Sequence, residues 1–287
     1  MGAISQLFGY LLNALYTVFS NYGIAIIIFS IILRIILIPV TVKQQKSLKK
    51  SAQLQEEMKE IQRKYKNNPE KLNQETIDLY KREKLSPFAG CFSSIIQLII
   101  ILSVFWLVSE PLTYMKNVDE NVINEYKTQL QQENGQTAYT EIAIINKFGS
   151  QDERVNLNMD FLGLDLSKVP SSNLNDWRVY VIPVLYVVSS VISIRITNNF
   201  NKKKKKEKQK VITDGKEVEI KEEPSELEAM EAMNKNMSYM LPLMSVFIAF
   251  IAPLGLALYW FVSNVLMIIE KIIIDAVMRH KEEKQNV

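Results

Sequence analysis

Long uncharged runs alternate with charge-dense segments along the chain, on a scale much longer than one helix face. The run 22–42 holds 21 residues and a single charge, Arg34. At roughly 1.5 Å per residue it is long enough for a hydrocarbon core of about 30 Å. A second run, 88–109, has no charge, and a third, 177–197, carries Trp177, Arg178 and Arg195 near its ends, where such side chains anchor helices at an interface. Residues 237–269 form 33 uncharged positions, too many for one span unless steeply tilted. Pro253 and Gly255 punctuate them, which predicts two shorter helices, 237–252 and 254–276. One long kinked helix is the alternative. The pattern therefore predicts an all-α polytopic membrane protein with five transmembrane helices.

Between the spans the pattern changes character. In 43–87, Leu54, Met58, Ile61 and Tyr65 repeat at helical spacing, as do Leu72, Ile77, Leu79 and Tyr80 less regularly, and Asn67, Asn68 and Pro69 supply a turn and a helix start. This predicts a charged helical hairpin. At the N-terminus, residues 1–21 lack a basic leader, and Ile4, Leu7, Phe8, Leu11, Leu15, Val18 and Phe19 share helical spacing. The segment is expected to be an amphipathic helix of the working protein, lying in the membrane interface or packed on the rest of the chain.

Charge orients the spans. The segment 43–84 contains twelve Lys or Arg and 198–236 contains ten, whereas 110–176 has five against eleven acids. By the positive-inside rule the hairpin 43–87 and the basic loop 198–236 are cytoplasmic and 110–176 is extracellular. The N-terminus is then outside, and the tail 277–287 is cytoplasmic. Residues 202–228 read as a polar linker whose Lys run suits anionic lipid or ribosomal RNA as well as plain solvation. Net charge is only +3, so no nucleic-acid partner is required. One cysteine, Cys91, and one histidine, His280, exclude a disulfide framework and a metal cluster, and no cofactor is implied.

Arg34 changes the picture from architecture to chemistry. It lies 12 residues into its span, at a depth where a charge costs on the order of 2.5–3.5 kcal/mol even on lenient scales. The uncharged runs contain no Asp or Glu, which leaves water, lipid phosphate, a transient ligand or Glu270 at the inner end of the fifth helix as partners. Polar stripes recur on four helices: Ser30, Arg34 and Thr41; Gly90, Ser93, Ser94 and Gln97; Tyr186, Ser189, Ser190 and Ser193; Trp260, Ser263, Asn264 and Met267. Separately, each stripe suits helix packing. Together they suggest a wet, positively charged groove. No nucleophile–base pair, paired intramembrane carboxylates or phosphate-binding Gly loop accompanies it, so the chain is not read as an enzyme.

Five stretches resemble the YidC/Oxa/Alb insertase family: IILRIILIPVTVKQQKS around Arg34, EIQRKYKNNPEKLNQETIDLYKRE, SPFAGCFSSIIQ, FLGLDLSKVP and PLGLALYWFVSN. The resemblance implies five core helices around a hydrophilic groove open to cytoplasm and lipid, with Arg34 as its arginine and Trp260 and Asn264 lining or supporting it. It departs from the family at Ser193, where Gln is frequent, and at Ser93 and Ile99, where prolines are common. The large periplasmic domain of Gram-negative members is absent and so is a lipoprotein cysteine. The implied function is insertion and chaperoning of nascent membrane proteins, including ones with acidic extracellular tails, by a monomer working with anionic lipids, the ribosome, the Sec translocon or signal-recognition machinery. A small-solute or anion transporter using the same Arg34, and a structural scaffold, are the rival readings.

The orientation can be tested directly. In a Cys91→Ser background, cysteines at Asn67 and Gly215 should resist an impermeant thiol reagent outside intact cells, and one at Gly135 should react. Labelling of Asn67 from outside would reverse the topology.

Overall fold

The computed structural model describes residues 2–65, 68–83, 89–134, 138–211 and 247–285. Among them the helices are α1 (Gly2–Phe19), α2 (Tyr22–Tyr65), α3 (Pro69–Arg82), α4 (Ala89–Ser109), α5 (Pro111–Tyr114), α6 (Glu120–Asn134), α7 (Thr140–Phe148), α8 (Val181–Val211) and α9 (Leu254–Gln285). Three stretches are long and apolar enough to cross a membrane, Tyr22–Lys46, Trp177–Ile196 and Leu254–Val277, and a shorter apolar stretch is Leu98–Ser109 in α4. Of the expected fourth span only residues 247–251 are described as helical. The described chain is thus mostly helical, with three candidate membrane-spanning segments.

Two helices run further than the apolar runs that mark them. α2 continues from its apolar half into the charged half as one 44-residue helix with Pro39 inside it. A change from Ile to Lys, Gln and Glu alters solvent preference without lowering helix propensity, so nothing in that sequence ends the helix. The break comes after Tyr65, and α3 starts with Asn68 accepting a hydrogen bond from the Lys71 N–H at 3.1 Å and Pro69 in its first turn. α3 folds back on α2, where an Arg82–Glu57 ion pair and a Thr76 to Met58 contact join them. α9 likewise continues past position 276 to Gln285.

Side-chain pairings show that α2, α8 and α9 run in the same direction. Tyr186 of α8 meets Trp260 of α9, ring centroids 6.3 Å apart, and Asn264 further along α9 reaches Ser189 and Ser190 further along α8. The ring of Tyr22 at the start of α2 lies against Gly255 at the start of α9, and Arg34 further along α2 reaches Ser263 and Glu270 further along α9. The three helices therefore start at a common end.

That end is tied together by the segment 158–168. Its carbonyls accept from backbone N–H groups at helix starts: Asn158 from Tyr22 at 3.0 Å, Leu166 from Gly255 at 2.8 Å and Lys168 from Leu254 at 2.9 Å. A helix leaves its first N–H groups without internal partners, and these carbonyls supply them. The Asn21 side chain also donates to the Asp160 carbonyl at 2.7 Å. Within the segment, β1 (Asp160–Phe161) pairs antiparallel with β2 (Leu164–Asp165), leaving the two-residue turn Leu162–Gly163. Both turn residues have positive φ, 52° and 76°. Glycine takes that conformation freely; for Leu162 it costs about 1–2 kcal/mol.

The rest of 110–176 builds a small helical layer on the same end. Tyr126 of α6 packs on Phe148 of α7 with ring centroids 4.5 Å apart, within the core formed by Ile123, Leu130, Ile142, Ile145 and Leu157. Glu141 of α7 ties it to the start of α5: its carboxylate accepts from the N–H of Leu112 at 2.7 Å and from the N–H and hydroxyl of Thr113 at 3.1 and 2.6 Å. Burial is the largest influence on this carboxyl and pushes its pKa above the ordinary range, while the bonds from Leu112 and Thr113 oppose the shift.

α1 packs on α2, α4 and α5, with Ser5, Gly9 and Leu12 buried. Of the two placements its sequence allows, contact with the protein therefore holds on one face; Leu7, Tyr10 and Val18 remain exposed on the other. Gly9 permits the contact, because a Cβ there would lie 1.8 Å from the Tyr114 backbone oxygen. Gly9→Ala should separate the helices and cost about 1–3 kcal/mol, read as a lower melting temperature of the purified protein. Gly2→Ala, with nothing within 4 Å of the added carbon, should be neutral.

Candidate functional site

Arg34 sits where α2 crosses α9. Its Nη2 donates to the Ser263 backbone carbonyl at 3.2 Å, and its Nε lies 3.4 Å from Glu270 Oε2. The two side chains are 16% and 8% exposed. Glu270 follows Ser263 by seven residues, two turns of one helix face, so α9 offers the guanidinium a carbonyl and a carboxylate in line. Glu270 lies inside the apolar stretch Leu254–Val277 and is the one, of the partners the sequence left open for Arg34, that the structure brings to it.

The ion pair is incompletely bonded. Glu270 Oε1 is buried and has no hydrogen-bond partner among the described residues. A buried carboxylate normally has its lone pairs filled, because an unmet acceptor in a low dielectric is costly. This oxygen is therefore open to a donor brought by water or by a ligand.

A second polar cluster joins α8 to α9. Asn264 Nδ2 donates to the hydroxyls of Ser189 at 2.9 Å and Ser190 at 3.2 Å, and Ser189 donates to the Tyr186 carbonyl of its own helix at 2.8 Å. Asn264, Ser189 and Ser190 are all buried. This cluster reads as interhelical glue, the role such residues take between apolar helices.

The remaining residues of the stripes divide. Ser30 is buried and donates to the Ile26 carbonyl at 2.7 Å, and Thr41 donates to the Leu37 carbonyl at 3.2 Å, so each hydroxyl is used within α2. Ser263 contributes its backbone carbonyl to Arg34, while its side chain is hydrogen-bonded to Tyr259. Trp260 is half-buried against Tyr186, and Ser193 is half-buried further along α8. The side chains of Ser93, Ser94 and Gln97 lie outside the described residues. The structure thus brings together Arg34, Ser263 and Glu270 in one group and Asn264, Ser189 and Ser190 in another. Asn264 bonds to Ser190 as well as to Ser189, so both serines of that stripe belong to the second group. No group of three or more His, Cys, Asp or Glu among the described residues could hold a metal ion.

With this geometry established, comparison with known proteins is specific. The sequence profile of the family described as 60Kd inner membrane protein matches residues 14–282. A protein named membrane protein insertase YidC from Treponema denticola is 25% identical over 279 residues, covering 97% of this chain and 38% of the relative. Proteins of the same name from Caldanaerobacter subterraneus subsp. tengcongensis and Fusobacterium nucleatum are 37% and 40% identical over 108 and 102 residues, covering 38% and 36% of this chain. The chain's matched part spans 52% and 50% of those two relatives, so it accounts for about half or less of the length of each.

A thermodynamic cycle measures the pair at the centre of the site. Arg34→Ala strands a buried carboxylate and should destabilise the protein by on the order of 3 kcal/mol. Adding Glu270→Gln should recover much of that loss in thermal melting, since the stranded charge is gone. Equal melting of the single and double variants would show that the two groups are not coupled.

Proposed function

The chain belongs to the 60Kd inner membrane protein family, and on that premise we propose that it inserts and helps fold other proteins in a bacterial membrane. The observation that carries the reading is Arg34: a guanidinium deep in an apolar helix, still 16% exposed, held between a carbonyl and a carboxylate that it does not fully satisfy. The proposed substrates are nascent membrane proteins, among them ones with acidic tails. Ribosome, Sec translocon, signal-recognition machinery and anionic lipid are proposed partners, and the basic segments 43–84 and 198–236 support a cytoplasmic side for them.

The chemistry follows from the cost of moving a polar tail through hydrocarbon. A carboxylate on the tail that meets Arg34 exchanges part of its lost hydration for a charge-assisted hydrogen bond. Glu270 already contacts that guanidinium, so it acts as an internal competitor and keeps the resting site near neutrality. Donors of the tail can in turn use the open Glu270 Oε1. Partitioning of the substrate's apolar segment into lipid supplies the driving force, so no nucleotide is invoked. Trp260, Ser193, Ser93, Ser94 and Gln97 are proposed to line the path, with Asn264, Ser189 and Ser190 fixing the spacing of α8 and α9.

Insertion by the purified protein in lipid vesicles tests this. Arg34→Ala should lower insertion of an acidic-tailed substrate by about tenfold, equivalent to about 1.4 kcal/mol of barrier, and affect a neutral-tailed one less. Arg34→Lys should retain activity because the charge persists. Glu270→Gln should accelerate the acidic substrate by removing the competitor. Normal insertion of both substrates by stably folded Arg34→Ala protein would overturn the reading.

A further inference from the structure

The segment FLGLDLSKVP contributes nothing to the Arg34 site, yet it carries a strained residue and an unpartnered apolar tip. Leu162 holds φ at 52° in the hairpin turn, and its side chain is 86% exposed. A turn with positive φ at both central positions favours Asn or Asp followed by Gly, residues that suit both the backbone and water. Leucine suits neither. Among the described residues nothing compensates, since the side chain packs on no core.

Two more apolar side chains stand beside it. Leu174 is 68% exposed and Trp177 is 73% exposed, and both line an open cleft of about 760 Å³ formed by residues 172–178. An adjoining cavity of about 210 Å³ is lined by Asp160, Gly163 and Leu164 of the hairpin together with Asp176 and Arg178, so the turn and the 172–178 loop are neighbours. The ionic groups between them are mutually satisfied: Asp176 takes Lys168 at 2.9 Å and Arg178 at 3.0 Å, with its carboxyl held well below the usual range chiefly by the bond from Arg178.

The height of this rim is fixed by the fold. Segment 158–168 is hydrogen-bonded to the starts of α2 and α9, and Trp177 itself begins the third apolar stretch. Phe161 lies over Gly23 in the first turn of α2, leaving no room for a Cβ there. The hairpin tip therefore stands at the level where all three candidate spans leave the hydrocarbon.

We propose that Leu162, Leu174 and Trp177 form a lipid anchor that seats this end of the bundle in the bilayer interface. The occupant of the apolar rim is the boundary between headgroups and acyl chains, where Leu and Trp side chains lose their exposure to water and Trp keeps a polar edge near the headgroups. Lys168 and Arg178 are both engaged by Asp176, so the anchor rests on apolar contact and binds zwitterionic lipid as well as anionic lipid. Its role is to hold the cap over the helix starts at constant depth while the rest of the site works. The inference is independent of the insertase reading, since it concerns only where the bilayer meets the cap.

The test places an environment-sensitive fluorophore on Leu162→Cys or Leu174→Cys in a full-length Cys91→Ser protein reconstituted into phosphatidylcholine vesicles. Gln129→Cys, on the exposed face of α6, is the aqueous control. Lipids brominated near the top of the acyl chain should quench both rim labels several-fold more than the control, iodide should quench them several-fold less, and added anionic lipid should change neither. Leu162 decides. If iodide quenches its label as freely as the control and brominated lipid does not, or if its protection requires anionic lipid, the proposal fails. A label on Leu162 points away from the protein and does not touch the core, so folding of the variant is not at issue.

Discussion

A guanidinium placed in the apolar half of a helix has to be offset, and the arrangement of α2 and α9 follows from how this is done. Arg34 takes the Ser263 carbonyl and the Glu270 carboxylate, two groups that lie on one face of α9 because they are seven residues apart. Their positions fix both the depth of α9 against α2 and its rotation. Asn264, next to Ser263, is thereby turned towards α8, where it donates to Ser189 and Ser190. One charged contact on one side and one amide contact on the other hold α9 between its two neighbours. Dispersion alone would leave such apolar helices free to slide, since lipid tails pack on them about as well as another helix does.

The helix starts present the complementary problem. Their backbone N–H groups have no partner within the helix, and at a membrane boundary water serves them unreliably. The 158–168 segment solves this with main-chain carbonyls to Tyr22, Leu254 and Gly255. The same segment then needs its own support, which the short β1–β2 pairing and the side chains of Asp160 and Asp165 give it through bonds to Gly163 and Ser167. A layer made of α5, α6 and α7 covers the end, held by the buried Glu141 on the start of α5.

Much of this was readable from the chain, and the unread parts have physical causes. Apolar length announced the three stretches long enough to cross a membrane, and Asn68 with Pro69 announced the turn before α3. The unbroken course of α2 was hidden because charge marks a change of solvent, which pattern reading mistakes for a change of element. The two-residue strands were hidden because Leu162 replaces the Asn or Asp that signals such a turn. α6 carries a signal that pattern reading can find: Val122, Ile123, Tyr126 and Leu130 have helical spacing within an otherwise polar stretch. At the site, spacing placed Ser30 and Ser189 on helix faces but could not show that their hydroxyls bond to their own helices. It named Glu270 as one candidate partner of Arg34 and could not choose it, because depth along α9 depends on contacts that only the folded chain makes.

The two ends of this polar system are satisfied to different degrees, and the difference is informative. At the helix starts the named donors have short, direct acceptors. Halfway along, Glu270 keeps one oxygen without a donor among the described residues and Arg34 keeps some exposure. A pair serving stability alone would be replaced with little loss, or with gain, by apolar side chains of equal volume. Retaining an under-bonded ion pair is costly in a low dielectric, and the cost is borne by packing elsewhere in the bundle. In the proposed function such a pair supplies a charge that is held in place and has capacity for a new partner: an anion would share Arg34 and a donor would fill Glu270 Oε1. The hydrogen bonds at the starts of α2 and α9 support that role, because they hold the two helices side by side independently of the Arg34–Glu270 contact.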